Sequence, residues 1–595
     1  MVTPAAGDPC EELDVLVVGA GLSGIGAAAR LERDRPGQRY CLMEARGALG
    51  GTWDLFRYPG IRGDSDMFTL GYPFRPWDGD VSIADGPSIL RYLRETAEEY
   101  RVDRHIRYHH EVESAEWSTA AARWTVHAVR TDTGERSQVT CRFLFMCTGY
   151  YRYDQGHRPC LPGEERFGGR LVHPQHWPED LDYAGKRVVV IGSGATAITL
   201  VPAMARTAGH VTMLQRSPTY VISLPARDRL AARLQRRLPP RAAYHLVRWR
   251  NIAASSTFYR LSRRRPELVK RLIRSGVRRQ LPAGFDLSHF TPRYDPWDQR
   301  LCVVPDGDLF GAIREGRAAV VTDRIATLDE TGITLEPGEH LDADIIVTAT
   351  GLQLLPVGGI RLTVDGQPVE VHERVAYKAM MLAGVPNAAF TIGYTNASWT
   401  LKADLVAGYV CRLLRHLDET GTRQVTPLAP DPSEPTGPFL DLTAGYVQRS
   451  LDRLPRQGSR APWRIHQDYL RDLAIYRRAP IEDAGIRFSN PAPAPAPAPG
   501  RAPAPAPGLQ SGHGAGAPVG PRPRGATGRL SRRRRSGFAG YAGYAGLRSP
   551  QALGAAWLPR RWVRSLEVGA PRGQIGLESP ELPAPAAGGG ANRSG

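Results

Sequence analysis

The sequence predicts an α/β protein: two Rossmann-like dinucleotide-binding domains, a helical insertion and a disordered C-terminal tail. Three observations predict it. Residues 13–24, LDVLVVGAGLSG, run an apolar strand into a tight glycine turn. Residues 186–205, KRVVVIGSGATAITLVPAMA, repeat strand, glycine turn and helix. Two further apolar runs, 139–151 and 341–351, end in Thr-Gly or contain it, and they alternate with helical patterns. That alternation implies parallel sheets covered by helices.

The first loop is Gly19-Ala20-Gly21-Leu22-Ser23-Gly24. Glycines there permit a tight turn and let the backbone approach a pyrophosphate, while the helix N-terminus faces the negative charge. Glu44 ends the next strand, RYCLME, at the expected distance of about 20 residues, and would accept hydrogen bonds from ribose hydroxyls. The second loop is Gly192-Ser193-Gly194-Ala195-Thr196-Ala197, with alanine in the third glycine position. Its following strand, HVTMLQRS, ends in Arg216-Ser217 where the first unit has an acid. An acid repels a 2′-phosphate and an arginine grips it. The first loop is therefore expected to take FAD and the second NADPH. Between the loops, GGTWDLFRYPGIRGDSDMF brings Gly51, Thr52 and Trp53 toward the flavin. Arg62 and Asp64 are expected at the cofactor too and add opposite charges, which are costly in a buried loop unless paired; the alternative is a structural salt bridge.

The expected organisation is a first FAD part (9–155), a first NADPH part (156–222), a basic helical insertion (223–298), a second NADPH part (299–345), a second FAD part (346–488) and a low-complexity tail (489–595). The insertion is helical in pattern and broken at Pro239-Pro240 and Pro266. The net charge of +17 concentrates in two places. The tail carries fourteen Arg against three Glu, and residues 227–279 carry seventeen Lys or Arg against two acids, leaving an acidic body. Nucleic acid is therefore not the expected partner. The insertion, with Tyr244, Trp249 and Phe258 among its arginines, suits an anionic membrane surface; a solvated helical face or an oligomer interface is the alternative. The tail is too rich in Pro, Ala, Gly and Arg to bury a core. No secretory start and no apolar run of about 18 residues is visible, which points to a cytoplasmic chain, peripheral at most to the membrane. The seven cysteines are scattered, without a C-x-x-C pair.

Residues 167–178, FGGRLVHPQHWP, match F-x-G-x-x-x-H-x-x-x-W-P at Phe167, Gly169, His173, Trp177 and Pro178. Set between two dinucleotide loops, this segment resembles the fingerprint of Baeyer–Villiger monooxygenases. GGTWDLFRYPGIRGDSDM, DPWDQRLCVVPDGDLF and GYTNASWTLKADLV are most similar to the branch that activates thioamides such as ethionamide. The resemblance runs from about Leu13 to Phe488. It implies that NADPH reduces FAD, that O2 forms a C4a-peroxyflavin, and that this species converts ketones to esters or lactones and oxygenates soft sulfur. It also implies that Arg300 stabilises the peroxide and that Asp64 orients Arg300. Many relatives have a lysine before that arginine; Gln299 stands here, leaving more of the phosphate contact to Arg216. His173, Trp177 and Pro178 would couple the two domains as a hinge. Asn396, Trp399 and the segment near Trp463 are expected to line the substrate pocket.

Rival chemistries fit less well. Zinc at His173, His176 and Glu179 lacks the i, i+4 spacing of helical ligands, and Pro174 and Pro178 oppose a helix. A disulfide reductase needs paired redox cysteines, yet Cys141 and Cys147 lie roughly 20 Å apart by strand rise. An N- or S-oxygenase without Baeyer–Villiger activity, or a flavoprotein redox sensor, remains as the alternative.

Overall fold

In the computed structural model, which describes residues 11–79 and 81–492, strand β1 (Glu11–Val18) buries Leu13, Val15, Leu16, Val17 and Val18 and leads directly into Gly19. Gly19 sits at φ +101°, open to glycine at little cost, and turns the chain into helix α1 (Leu22–Asp34). Gly24, Gly26, Ala27, Ala28 and Ala29 are buried along α1. A β-carbon on Gly24 would fall 1.8 Å from the Gly19 carbonyl oxygen. Strand β2 (Tyr40–Met43) pairs parallel with one edge of β1, and Arg136–Met146 pairs parallel with the other.

This first sheet has nine strands and is mixed. His110–Ser118, Arg123–Arg130 and Arg136–Met146 form an antiparallel meander, where wholly parallel strands were expected. Trp124, Val126 and Ala128 alternate inward along Arg123–Arg130. Such two-residue alternation marks an antiparallel strand with one covered face, and a search for continuous apolar runs passes over it. The second sheet is five-stranded and parallel throughout: Ala318–Thr322, His210–Gln215, Arg187–Ile191, Ile345–Thr348 and Arg170–Val172. The chain leaves the first sheet after Met146 and returns to it at Arg361–Val364. The outgoing and returning segments run side by side: the Arg152 N–H donates to Gln353 O at 2.9 Å and the His157 N–H to Gly351 O at 3.0 Å.

The insertion forms helices Arg229–Gln235, Pro240–Arg264 and Pro266–Arg278, with Pro240 and Pro266 in first turns, where proline is tolerated. It packs on both cores rather than on the second alone. Ala231, Tyr244, Val247 and Ile252 join the core beneath the first sheet, while Val269, Ile273 and Val277 join that of the second. Tyr244 is thus buried, contrary to its expected place on an exposed aromatic face, and Phe258 is half-buried. Arg248 is buried as well: its guanidinium donates to the carbonyls of Phe68 and Gly71, each at 2.7 Å. Of the tail expected from residue 489, Ser489 closes a strand paired with Gln424–Pro427; residues 493–595 lie outside the described residues. No helix among the described residues is long and apolar enough to cross a membrane.

Helix Trp399–Thr420 lies on α1, tied by Arg30–Asp404 at 2.7 Å. It carries Lys402, whose ammonium pairs with Asp472 at 2.7 Å, while the Tyr394 hydroxyl donates to the same carboxylate at 2.6 Å. Both charged side chains are almost fully buried. Asp472→Leu leaves Lys402 as an uncompensated buried charge and is expected to destabilise the protein by about 3–5 kcal/mol. Chemical denaturation measures this, with the double variant Lys402→Met/Asp472→Leu recovering much of the loss.

Candidate active site

Two helix N-termini face glycine loops and lack a side-chain cap. Gly21 is the N-cap of α1 and Gly194 that of Ala195–Met204, and neither end has a side-chain hydrogen bond. Both leave backbone N–H groups pointing outward, the arrangement that receives phosphate. At the first loop, a β-carbon on Gly21 would lie 3.5 Å from Gly51 Cα, and one on Gly51, at φ +57°, would lie 3.0 Å from Gly21 Cα. The two backbones thus form a narrow cradle. Thr52 Oγ1 meets the Tyr153 hydroxyl at 2.9 Å, and Trp53 packs partly buried on the neighbouring core. Glu44 is buried; one carboxylate oxygen accepts the Ala20 N–H at 2.7 Å and the other the Arg46 N–H at 3.1 Å. Burial raises its carboxyl above the usual range, and the two N–H donors work against that shift. Each oxygen retains a lone pair for a ribose hydroxyl.

At the second loop, a β-carbon on Gly194 meets nothing within 4 Å. Gly192 has φ +137°, and Ser193 Oγ donates to Ser217 O at 3.1 Å. Ala195 is exposed, Thr196 half-buried and Ala197 buried. Arg216 and Ser217 are exposed at the end of the adjacent strand, and Arg216 makes no ion pair among the described residues. An open helix end beside a free guanidinium fits a nucleotide carrying an additional phosphate.

Arg300 and Asp64 meet at 2.8 Å, with 33% and 42% of their side chains exposed, enough to face a ligand. Asp64 holds the guanidinium above its ordinary value, against the lowering effect of burial. Arg62 does not pair with Asp64, contrary to the structural salt bridge considered for that loop; it pairs with Asp308. Each charge of the loop instead reaches a residue of the segment following the insertion, so neither is left uncompensated. Tyr150, Tyr151 and Tyr446 lie close enough to Arg300 to interact with its charge. Burial pushes the Tyr151 hydroxyl up to about 12 and raises Tyr150 and Tyr446 too, so all three stay neutral.

A continuous line of contacts joins this cluster to the first loop. The Trp399 indole N–H donates to Ser23 Oγ at 2.8 Å, the Trp399 ring stacks on Tyr150 at 5.0 Å, and the Tyr150 and Tyr151 hydroxyls are 3.3 Å apart. Asn396 stands apart from that line. It borders a cavity of about 20 Å³ lined also by Ser256, Tyr259, Gln467 and Tyr469. Trp463 does not line it: its indole N–H donates to Leu428 O at 2.9 Å inside the core.

The F-x-G-x-x-x-H-x-x-x-W-P segment lies where the two crossing segments meet. A β-carbon on Gly169 would strike the Phe167 ring at 2.6 Å. His173 Nδ1 accepts the Gln175 N–H and caps a short 3₁₀ turn, Pro174–His176. Pro174 opens that turn. Burial holds His173 below its ordinary value, so it is neutral at neutral pH. Gln175 donates to the carbonyls of Arg152 and Tyr153 on the outgoing segment. Trp177 meets Tyr183 edge-on at 6.5 Å, and Pro178 O accepts the Leu181 N–H. Sequence reasoning missed the three tyrosines, Asp308 and Gln175; the run GYYRY at 149–153 was the available signal for two of them.

Residues 78–356 match the flavin-binding monooxygenase-like family, and residues 17–80 an NAD(P)-binding Rossmann-like domain. The chain is 56% identical over 481 residues to the FAD-containing monooxygenase EthA of Mycobacterium tuberculosis, covering 80% of this chain and 98% of that one. The chain belongs to the FAD-containing monooxygenases. This monooxygenase is also 48% identical over 481 residues to the probable FAD-binding monooxygenase AlmA of Acinetobacter baylyi, covering 80% and 96% of the two chains. Among solved structures it is similar to an oxidized steroid monooxygenase bound to NADP, with 25% identity, a TM-score of 0.60, and coverage of 70% of this chain and 88% of that one.

Proposed function

We propose that the protein is an NADPH- and O2-dependent FAD monooxygenase of the Baeyer–Villiger type, which converts ketones to esters or lactones and oxygenates thioethers and thioamides. The observation that supports this reading is the Arg300–Asp64 pair close to neutral tyrosines, of which Tyr150 is linked through Trp399 to Ser23 of the FAD loop. The chemistry supplied by the bound FAD is activation of dioxygen with electrons from NADPH. Everything else falls to the chain. The N-terminus of α1 and the Gly21–Gly51 cradle hold the FAD pyrophosphate, Glu44 its ribose, and the Gly194 helix end with Arg216 the phosphates of NADPH. Arg300 stays protonated at every working pH and offsets negative charge developing on the reacting oxygen and on the substrate carbonyl. Asp64 fixes its orientation. The tyrosines narrow water access while adding no charge of their own. His173, Trp177 and Pro178 position the two crossing segments as a hinge.

The direct test is NADPH oxidation against aliphatic and aryl ketones and thioethers, with product analysis. Ester formation is expected; sulfoxide without any ester would leave an S-oxygenase. Arg216→Glu is expected to raise the KM for NADPH about 10- to 100-fold, the loss of a charge-assisted hydrogen bond, while leaving the NADH reaction nearly unchanged. Steady-state kinetics with both nucleotides measures it.

A further inference from the structure

Six large apolar side chains stand exposed among the described residues: Leu238, Leu246, Trp249, Leu268, Leu272 and Leu470. Five belong to the basic insertion. Leu246 and Trp249 are one turn apart on helix Pro240–Arg264, and Leu268 and Leu272 one turn apart on Pro266–Arg278. The opposite faces of these helices are buried, through Tyr244, Val247 and Arg248 and through Ile273 and Val277. Trp249 lies 6.1 Å, ring to ring, from Tyr469, the residue that precedes Leu470 in helix Tyr469–Arg477. Around these side chains, Arg233, Arg236, Arg237, Arg241, Arg271 and Arg274 make no ion pair among the described residues.

We propose that the exposed apolar and basic stripes of these two insertion helices dock on an anionic lipid bilayer. Exposed leucine and tryptophan at helical spacing, interleaved with free arginines, supply the two signals that hold an amphipathic surface in a headgroup layer: apolar insertion and attraction to negative lipid. Nucleic acid would use the arginines and leave the leucines in water. A symmetric contact with a second copy would oppose two faces of like charge. Ser256, which lines the cavity beside Asn396, lies two turns along the same stripe from Trp249. Docking therefore sets that cavity within about 10 Å of the lipid-facing tryptophan.

The test is co-sedimentation of the full chain with phosphatidylcholine vesicles, with and without phosphatidylglycerol, at low and high salt. Binding is expected only with phosphatidylglycerol, weakening as salt rises. Leu246→Glu/Trp249→Glu/Leu268→Glu/Leu272→Glu is expected to weaken it by roughly tenfold or more, with FAD content and NADPH oxidation in solution unchanged. A milder variant, Trp249→Ser/Leu268→Ser, guards against misfolding and should show an intermediate loss. Full binding by both variants would assign attachment to the tail and overturn the proposal. So would binding equal on neutral vesicles, or a substitution effect confined to oligomeric state in light scattering. None of these readouts depends on the oxygenation chemistry.

Discussion

Arg300→Ala is expected to bind FAD and to be reduced by NADPH at close to the normal rate, yet to lose ketone oxygenation by about 10²–10³-fold in kcat, the usual effect of deleting one preorganised charge donor. The split follows from position. Arg300 pairs with Asp64 and lies within electrostatic reach of the tyrosine cluster but belongs to neither glycine loop. Stopped-flow reduction and product yield separate the two halves of the cycle. Electrons should then leave as hydrogen peroxide, so NADPH consumption outruns product. Asp64→Asn, which keeps the shape and removes the charge, should give a smaller loss in the same direction. Retained ester formation by Arg300→Ala would remove Arg300 from the chemistry.

Gly24→Ala is the second large effect. Its β-carbon has no place to go, because the atom 1.8 Å away is the Gly19 carbonyl oxygen, part of the turn itself. Moving that carbonyl displaces the backbone that receives the pyrophosphate. The variant is expected to purify with little or no FAD, with affinity reduced by more than about tenfold. Gly408→Ala is the control: it lies within helix Trp399–Thr420, a β-carbon there meets nothing within 4 Å, and it should hold or raise stability by about 0.5–1 kcal/mol. Flavin absorbance and thermal melting of both variants decide the matter.

Much of this site was legible in the sequence, for a physical reason. A glycine loop is a local constraint: positive φ at Gly19, Gly51 and Gly192 is set at the residue itself, and Gly24 packs against the turn five residues before it, so the letters carry the geometry. The charge at a strand end is local as well, hence the contrast of Glu44 with Arg216. Arg300 with Asp64 came only through resemblance, because nothing in spacing joins residues that meet through tertiary packing. Arg62 shows the limit. Its neighbour Asp64 looked like a partner, and the fold instead gave it Asp308 on the other side of the insertion. Arg248 shows another: an arginine in a basic run reads as solvated, while here it satisfies buried carbonyls of the loop it covers. The tyrosines around Arg300 gave no periodic signal, since two lie on a crossing segment and the third far downstream. The segment near Trp463 reaches the cavity beside Asn396 through Gln467 and Tyr469, while Trp463 itself fills the core, and only the packing distinguishes the two.

The most direct measurement is oxygen-isotope tracing. The enzyme turns over a ketone with NADPH under ¹⁸O2 in ordinary water, and the ester is analysed by mass spectrometry. One ¹⁸O atom per ester, with one NADPH consumed for each, is the predicted result. Unlabelled product, or NADPH spent on hydrogen peroxide with no ester from any ketone, would contradict oxygen insertion at Arg300.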